Sequence, residues 1–71
     1  MVLIAMLSFA HVHAHGYARQ VVDSPDGEIV CVWDHDESRG KPAAERYGVP
    51  FLSDVDAVWA RDDVDAVVLN A

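Results

Sequence analysis

Three histidines alternate near the start of the chain, His11, His13 and His15, within Ser8-Phe9-Ala10-His11-Val12-His13-Ala14-His15. Two imidazoles spaced two apart on an extended segment project to one side and can grip zinc. Four apart on a helix, His11 and His15 would share a face and could chelate as well. A metal-dependent hydrolase fragment built on His11 and His13 is therefore one reading. It lacks a third ligand cluster, because His35 and Asp36 stand at another strand end. Asp54, Asp56, Asp62, Asp63 and Asp65 are spread too widely for a calcium loop. Cys31, the single cysteine, lies inside Ile29-Val30-Cys31-Val32-Trp33 and reads as a small buried hydrophobe rather than a reactive thiol.

The same histidine-rich stretch admits a second chemistry. A strand-to-helix turn carrying G-x-G-x-x-G lets the backbone approach a dinucleotide pyrophosphate at the positive end of a helix. Here Ser8, Ala10 and His13 occupy the three glycine positions, and the first two are small. His13, at the helix start, is expected to press against the first strand. An acidic residue should end the second strand about 20 positions later, and Asp34 stands 21 positions after His13. Its carboxylate would accept hydrogen bonds from the adenosine ribose and repel a 2′-phosphate, which favours NAD. His35 and Arg39 stand close enough to leave NADP open. The candidate cofactor-binding residues are therefore Ser8, Phe9, Ala10, His11, Val12, His13, Asp34, His35 and Arg39. No residue is assigned to catalysis or to a metal.

Those residues need elements to hold them. Val2 to Leu7 is an unbroken apolar run, the pattern of a strand covered on both faces. Ala14, Tyr17, Ala18, Val21 and Val22 recur at the spacing of one helical stripe, and Ser24-Pro25-Asp26-Gly27 supplies a turn. Glu28 to Trp33 reads as a second strand. Ser38 is a plausible N-cap for a helix reaching Tyr47, with Gly40 and Pro42 confining good helix to its later part and Gly48 ending it. Val49 to Leu52 is brief and extended. Asp54 can cap a helix through Val55, Val58 and Trp59, and Val64 to Leu69 forms a last buried strand. Trp33, Tyr47, Phe51 and Trp59 are expected in the core.

Strand, helix, strand, helix, helix, strand points to a parallel α/β sheet with right-handed crossovers, a partial Rossmann fold. The whole chain, residues 1–71, reads as the N-terminal part of a dinucleotide-binding domain, cut soon after its first half. A chain of 71 residues buries only about 60% of its unfolded surface. With so few helices its sheet edges and faces stay partly uncovered, so a non-catalytic interaction module or a homo-oligomer is compatible with it.

Composition removes other classes. Twelve acidic residues against five scattered basic ones give a formal net charge of −7, which argues against nucleic acid and anionic membranes. The apolar start lacks a basic n-region and stops after about ten residues, too short for a membrane span. A cytoplasmic location is the expectation.

Four stretches together resemble the glucose–fructose oxidoreductase / inositol dehydrogenase family (Gfo/Idh/MocA): Ile4 to His15, Val30 to Asp34, Ala44 to Pro50, and Val64 to Val68. The resemblance implies NAD(P)-dependent hydride transfer at a sugar or polyol CH–OH group. It also implies a catalytic lysine in a Glu-Lys-Pro motif, followed by a substrate domain. Both lie beyond this sequence, so the chain by itself is expected to be inactive. The departure lies in the glycine loop, where Ser8, Ala10 and His13 replace all three glycines, although some family members carry His-x-His there.

Overall fold

The structure, a computed structural model, describes residues 1–10 and 13–70. His11, Val12 and Ala71 lie outside the described residues. Seven elements follow one another: β1 Val2–Leu7, α1 Ala14–Asp23, β2 Gly27–Trp33, α2 Glu37–Tyr47, β3 Phe51–Leu52, α3 Val55–Trp59 and β4 Ala66–Leu69. The sheet is parallel throughout, in the order β3-β2-β1-β4. The chain steps outward from β1 to β3, then returns to place β4 on the other side of β1. This reversal opens a crevice at the carboxyl ends of β1 and β4.

Two apolar clusters sandwich the sheet. On one face Ala14 and Ala18 of α1 and Ala43 and Ala44 of α2 pack on Met6, Ile29 and Val32. On the other, Val58 of α3 packs on Ala5, Leu7 and Cys31. The alanines let α1 and α2 lie close to the strands, since burial here requires little side-chain volume. The unbroken apolar run of β2 hid a register shift. Ile4 pairs with Ile29 while Ala5 pairs with Cys31, so one extra residue is accommodated between them. That slip turns Ile29 to one face and Cys31 with Trp33 to the other.

Four expectations require correction. The N-cap of α2 is Asp36, not Ser38: its carboxylate accepts the Ser38 amide at 3.1 Å. The helix runs through both Gly40 and Pro42 to Gly48, whose φ of 69° closes it in the left-handed region. Trp59 is 57% exposed rather than core, and Tyr17 and Val22 leave the α1 stripe at 43% and 53%. Trp33, Tyr47 and Phe51 are half-buried and pack against the core. Among the described residues no helix is long and apolar enough to cross a membrane.

Gly40 shows why α2 starts where it does. A Cβ placed there would stand 2.7 Å from Asp34 Cβ and collide with the Phe51 ring. The missing side chain lets the first turn of α2 press onto the end of β2. Gly40→Ala should therefore destabilise the protein by about 1–3 kcal/mol through overpacking, despite a helix-propensity gain of about 1 kcal/mol. Urea unfolding midpoints check this, and a midpoint at or above wild type would show that the contact is loose.

Candidate functional site

The carboxyl ends of β1, β2 and β4 converge on one set of polar contacts. Ser8 follows β1 and donates its amide to Trp33 O at 2.6 Å, carrying the ladder one residue past the strand. Its φ is 72°, so a serine occupies the left-handed conformation that the first glycine of the fingerprint serves. Its hydroxyl accepts the Ala10 amide at 3.1 Å, and its carbonyl accepts Asn70 Nδ2 at 3.3 Å. Asn70 itself donates its backbone amide to Leu7 O at 3.0 Å. Both Ser8 and Asn70 are buried. Sequence reasoning passed over Asn70, although a polar residue directly after Val-Val-Leu was the available signal.

Asp34 ends β2 with no exposed side-chain surface. Arg39 grips it as a fork, Nε to Oδ2 at 2.8 Å and Nη2 to Oδ1 at 2.6 Å. The Phe9 amide donates to Oδ2 at 2.9 Å and the Asp36 amide to Oδ1 at 3.0 Å. These four bonds fill the acceptor capacity of a carboxylate. Burial works to raise its pKa, but the Arg39 fork and the Asp36 and Phe9 amides outweigh burial and hold it at about 2. His35 is exposed, with Nδ1 3.6 Å from Asp34 Oδ1.

The remaining expected residues scatter in role. Phe9 turns its ring into the core, 4.6 Å from the His15 ring and 6.1 Å from that of Tyr47. His15 Nδ1 lies 2.9 Å from the Tyr47 hydroxyl, which ties α1 to α2, and burial followed by Arg46 lowers the His15 pKa. His13 does not press on β1: it is exposed, with its ring 6.4 Å from that of Tyr17. Ala14, fully buried, takes that packing position instead. The expectation erred by one residue because it carried a fixed template offset across the turn. Cys31 is buried and burial raises its thiol pKa first of all, in keeping with an inert side chain. No group of three or more metal-ligating side chains occurs among the described residues.

The donor set suits a dinucleotide in part. Helix α1 receives no side-chain cap hydrogen bond from His13 and has no acid in its first turn, which leaves its positive end suited to phosphate. The left-handed Ser8 supplies the turn beneath it. The Phe9 and Ala10 amides, in contrast, are engaged within the protein.

Two outcomes follow. Ser8→Ala keeps the strained φ and loses the hydroxyl bond, whereas Ser8→Gly loses only the bond. The glycine variant should be the more stable of the two by about 1 kcal/mol in paired thermal melts, and equal melts would remove strain from the loop. The second concerns acid. A depressed carboxylate pKa stabilises the fold above its unfolded value of about 4, and that contribution fades as pH falls toward the folded value. With Asp34 at about 2, stability should drop by roughly 2 kcal/mol between pH about 4 and about 2. Asp34→Asn, less stable at neutral pH, should show a shallower loss by circular dichroism.

Comparison with known proteins agrees with this geometry. The chain is similar to a myo-inositol dehydrogenase from Corynebacterium glutamicum, with 30% identity and a TM-score of 0.86 over 100% of this chain and 21% of that one. A proposed myo-inositol dehydrogenase from Sinorhizobium meliloti shares 28% identity with a TM-score of 0.86, over 97% of this chain and 20% of that one. The fold also matches GenD2 from gentamicin A biosynthesis, solved in complex with NAD, with a TM-score of 0.90 at 24% identity over 99% of this chain and 20% of that one. The chain thus spans about a fifth of the length of these solved structures. No curated protein matches it. The family model described as an oxidoreductase family with an NAD-binding Rossmann fold matches residues 5–70. On that match, this chain belongs to the Gfo/Idh/MocA oxidoreductase family.

Proposed function

We propose that this chain forms the pyrophosphate- and adenosine-binding part of an NAD(P)-dependent oxidoreductase acting on a CH–OH group of a sugar or polyol. The observation that carries the reading is the left-handed turn at Ser8, set at the sheet reversal under the start of α1. Membership of an NAD-binding family supports the cofactor class, and likeness to a myo-inositol dehydrogenase supports a polyol.

In this reading the loop Ser8, Phe9, Ala10, His11, Val12 and His13 faces the pyrophosphate, and His11 and Val12 belong to it by sequence alone. Ser8 and Ala10 keep side-chain bulk low where the backbone must be approached. The first-turn amides of α1 would meet phosphate oxygens, their dipoles opposing its charge. Asp34, His35 and Arg39 stand at the adenosine end. When bound, the dinucleotide supplies the hydride acceptor or donor, and the residues of this chain bind and orient it.

The full-length protein should quench or enhance NADH fluorescence on binding and reduce NAD with at least one member of a panel of cyclic and linear polyols. Ala10→Asp places a like charge beside the phosphates and should weaken NADH binding by at least about tenfold, with melting unchanged. Undiminished binding by that variant would put the pyrophosphate elsewhere. Absence of both NADH binding and polyol oxidation in the wild type would remove the reading.

A further inference from the structure

We infer that His15 is a further contact of the dinucleotide pyrophosphate and that its imidazole takes up a proton when the dinucleotide binds. The inference rests on the proposed dinucleotide site and adds how protons regulate it. His15 is the second residue of α1, on the turn that receives no side-chain cap. Two other segments place its ring. It lies 4.6 Å from the Phe9 ring of the loop after β1 and 6.0 Å from the Tyr47 ring of α2, with Nδ1 2.9 Å from the Tyr47 hydroxyl. Nδ1 is thereby engaged, while Nε2 has no partner among the described residues and the residue is exposed. A ring oriented through one nitrogen offers the other to a ligand.

The surroundings disfavour a charged ring until an anion arrives. Burial, then the Arg46 charge from α2, hold His15 below the ordinary imidazole value. The positive end of α1 acts in the same direction. Phe9 brings no charge, and within α1 Arg19, one turn on, is paired with Asp23 at 3.3 Å. No carboxylate pairs with His15 among the described residues, and the first turn of α1 holds no acid. The free imidazole is therefore neutral at about pH 7. An anionic pyrophosphate at the same turn reverses the balance. In the bound state Nδ1–H donates to the Tyr47 oxygen and Nε2–H donates to a phosphate oxygen, a charge-assisted bond. The added proton comes from solvent, and no covalent bond of the ligand changes. Because the bound form charges more readily than the free one, affinity rises as pH falls between the two values, by at most about tenfold per pH unit for one proton.

Titration calorimetry of the full-length protein with NAD, in buffers of different ionisation enthalpy, tests this. Wild type should take up a measurable fraction of a proton on binding. It should also bind NAD at least about threefold more tightly at pH about 6 than at pH about 8.5. His15→Gln keeps a side-chain donor that does not titrate. It should take up no proton and bind within about twofold at the two pH values. Melts without ligand identify a variant that fails to fold, in which case His15→Asn takes its place, and the wild-type proton count needs no variant. Binding by wild type without proton uptake would overturn the inference and leave the dinucleotide site standing. So would the same uptake in a folded His15 variant, which would put the proton on another group. Absence of binding at both pH values would overturn both.

Discussion

The buried contact between Asp34 and Arg39 organises the functional end of this sheet. A carboxylate without solvent is costly unless nearly every lone pair is met. Here the partners come from two segments: the loop after β1 through Phe9, and the start of α2 through its N-cap Asp36 and first-turn Arg39. Satisfying one charge therefore fixes both segments onto the end of β2. Gly40 permits this, since any side chain there would push α2 off Asp34. Loss of Arg39 would leave the buried Asp34 carboxylate without its ionic partner, a defect worth several kcal/mol.

A second set of bonds works from the opposite side of the crevice. Asn70 holds the Ser8 carbonyl, and Trp33 accepts its amide, so a non-glycine residue is kept at positive φ by bonds to both neighbouring strands. Strain of that kind persists only where the surroundings over-determine it. The start of the loop is thus fixed by Asp34 at Phe9 and by Asn70 at Ser8, two anchors on adjacent residues. There side chains hold the backbone where the fingerprint would place glycine.

Much of this was legible in the residues. The apolar runs and the stripe at Ala14, Ala18 and Val21 located β1, β2, β4 and α1, because period and length are local properties. The spacing to Asp34 found the end of β2. The details that escaped are those set by tertiary contact. Pro42 and Gly40 disfavour helix locally, yet packing on β2 and β3 carries α2 through them. Trp59 belongs to an apolar stripe but meets no covering element among the described residues. The shift at Ile4 and Ala5 leaves no trace in a sequence that is apolar on both sides of it. Asp34 was found as a residue, but whether its oxygens face a ligand depends on Arg39, five positions away on a helix whose start was misjudged.

The jobs usually given to three glycines are divided differently in this chain. The positive φ falls to Ser8, with Asn70 and Trp33 as supports. Close approach of helix to strand falls to Ala14, one residue beyond the template position, which frees His13 to sit outside. Close approach of the second helix to the second strand falls to Gly40, a glycine outside the fingerprint. Each substitution solves a steric problem locally, and at Ser8 polar neighbours hold the result. The turn therefore survives the loss of its glycines because backbone freedom has been replaced by hydrogen bonds, from Asn70 and Trp33 at Ser8 and from the Asp34 carboxylate at Phe9.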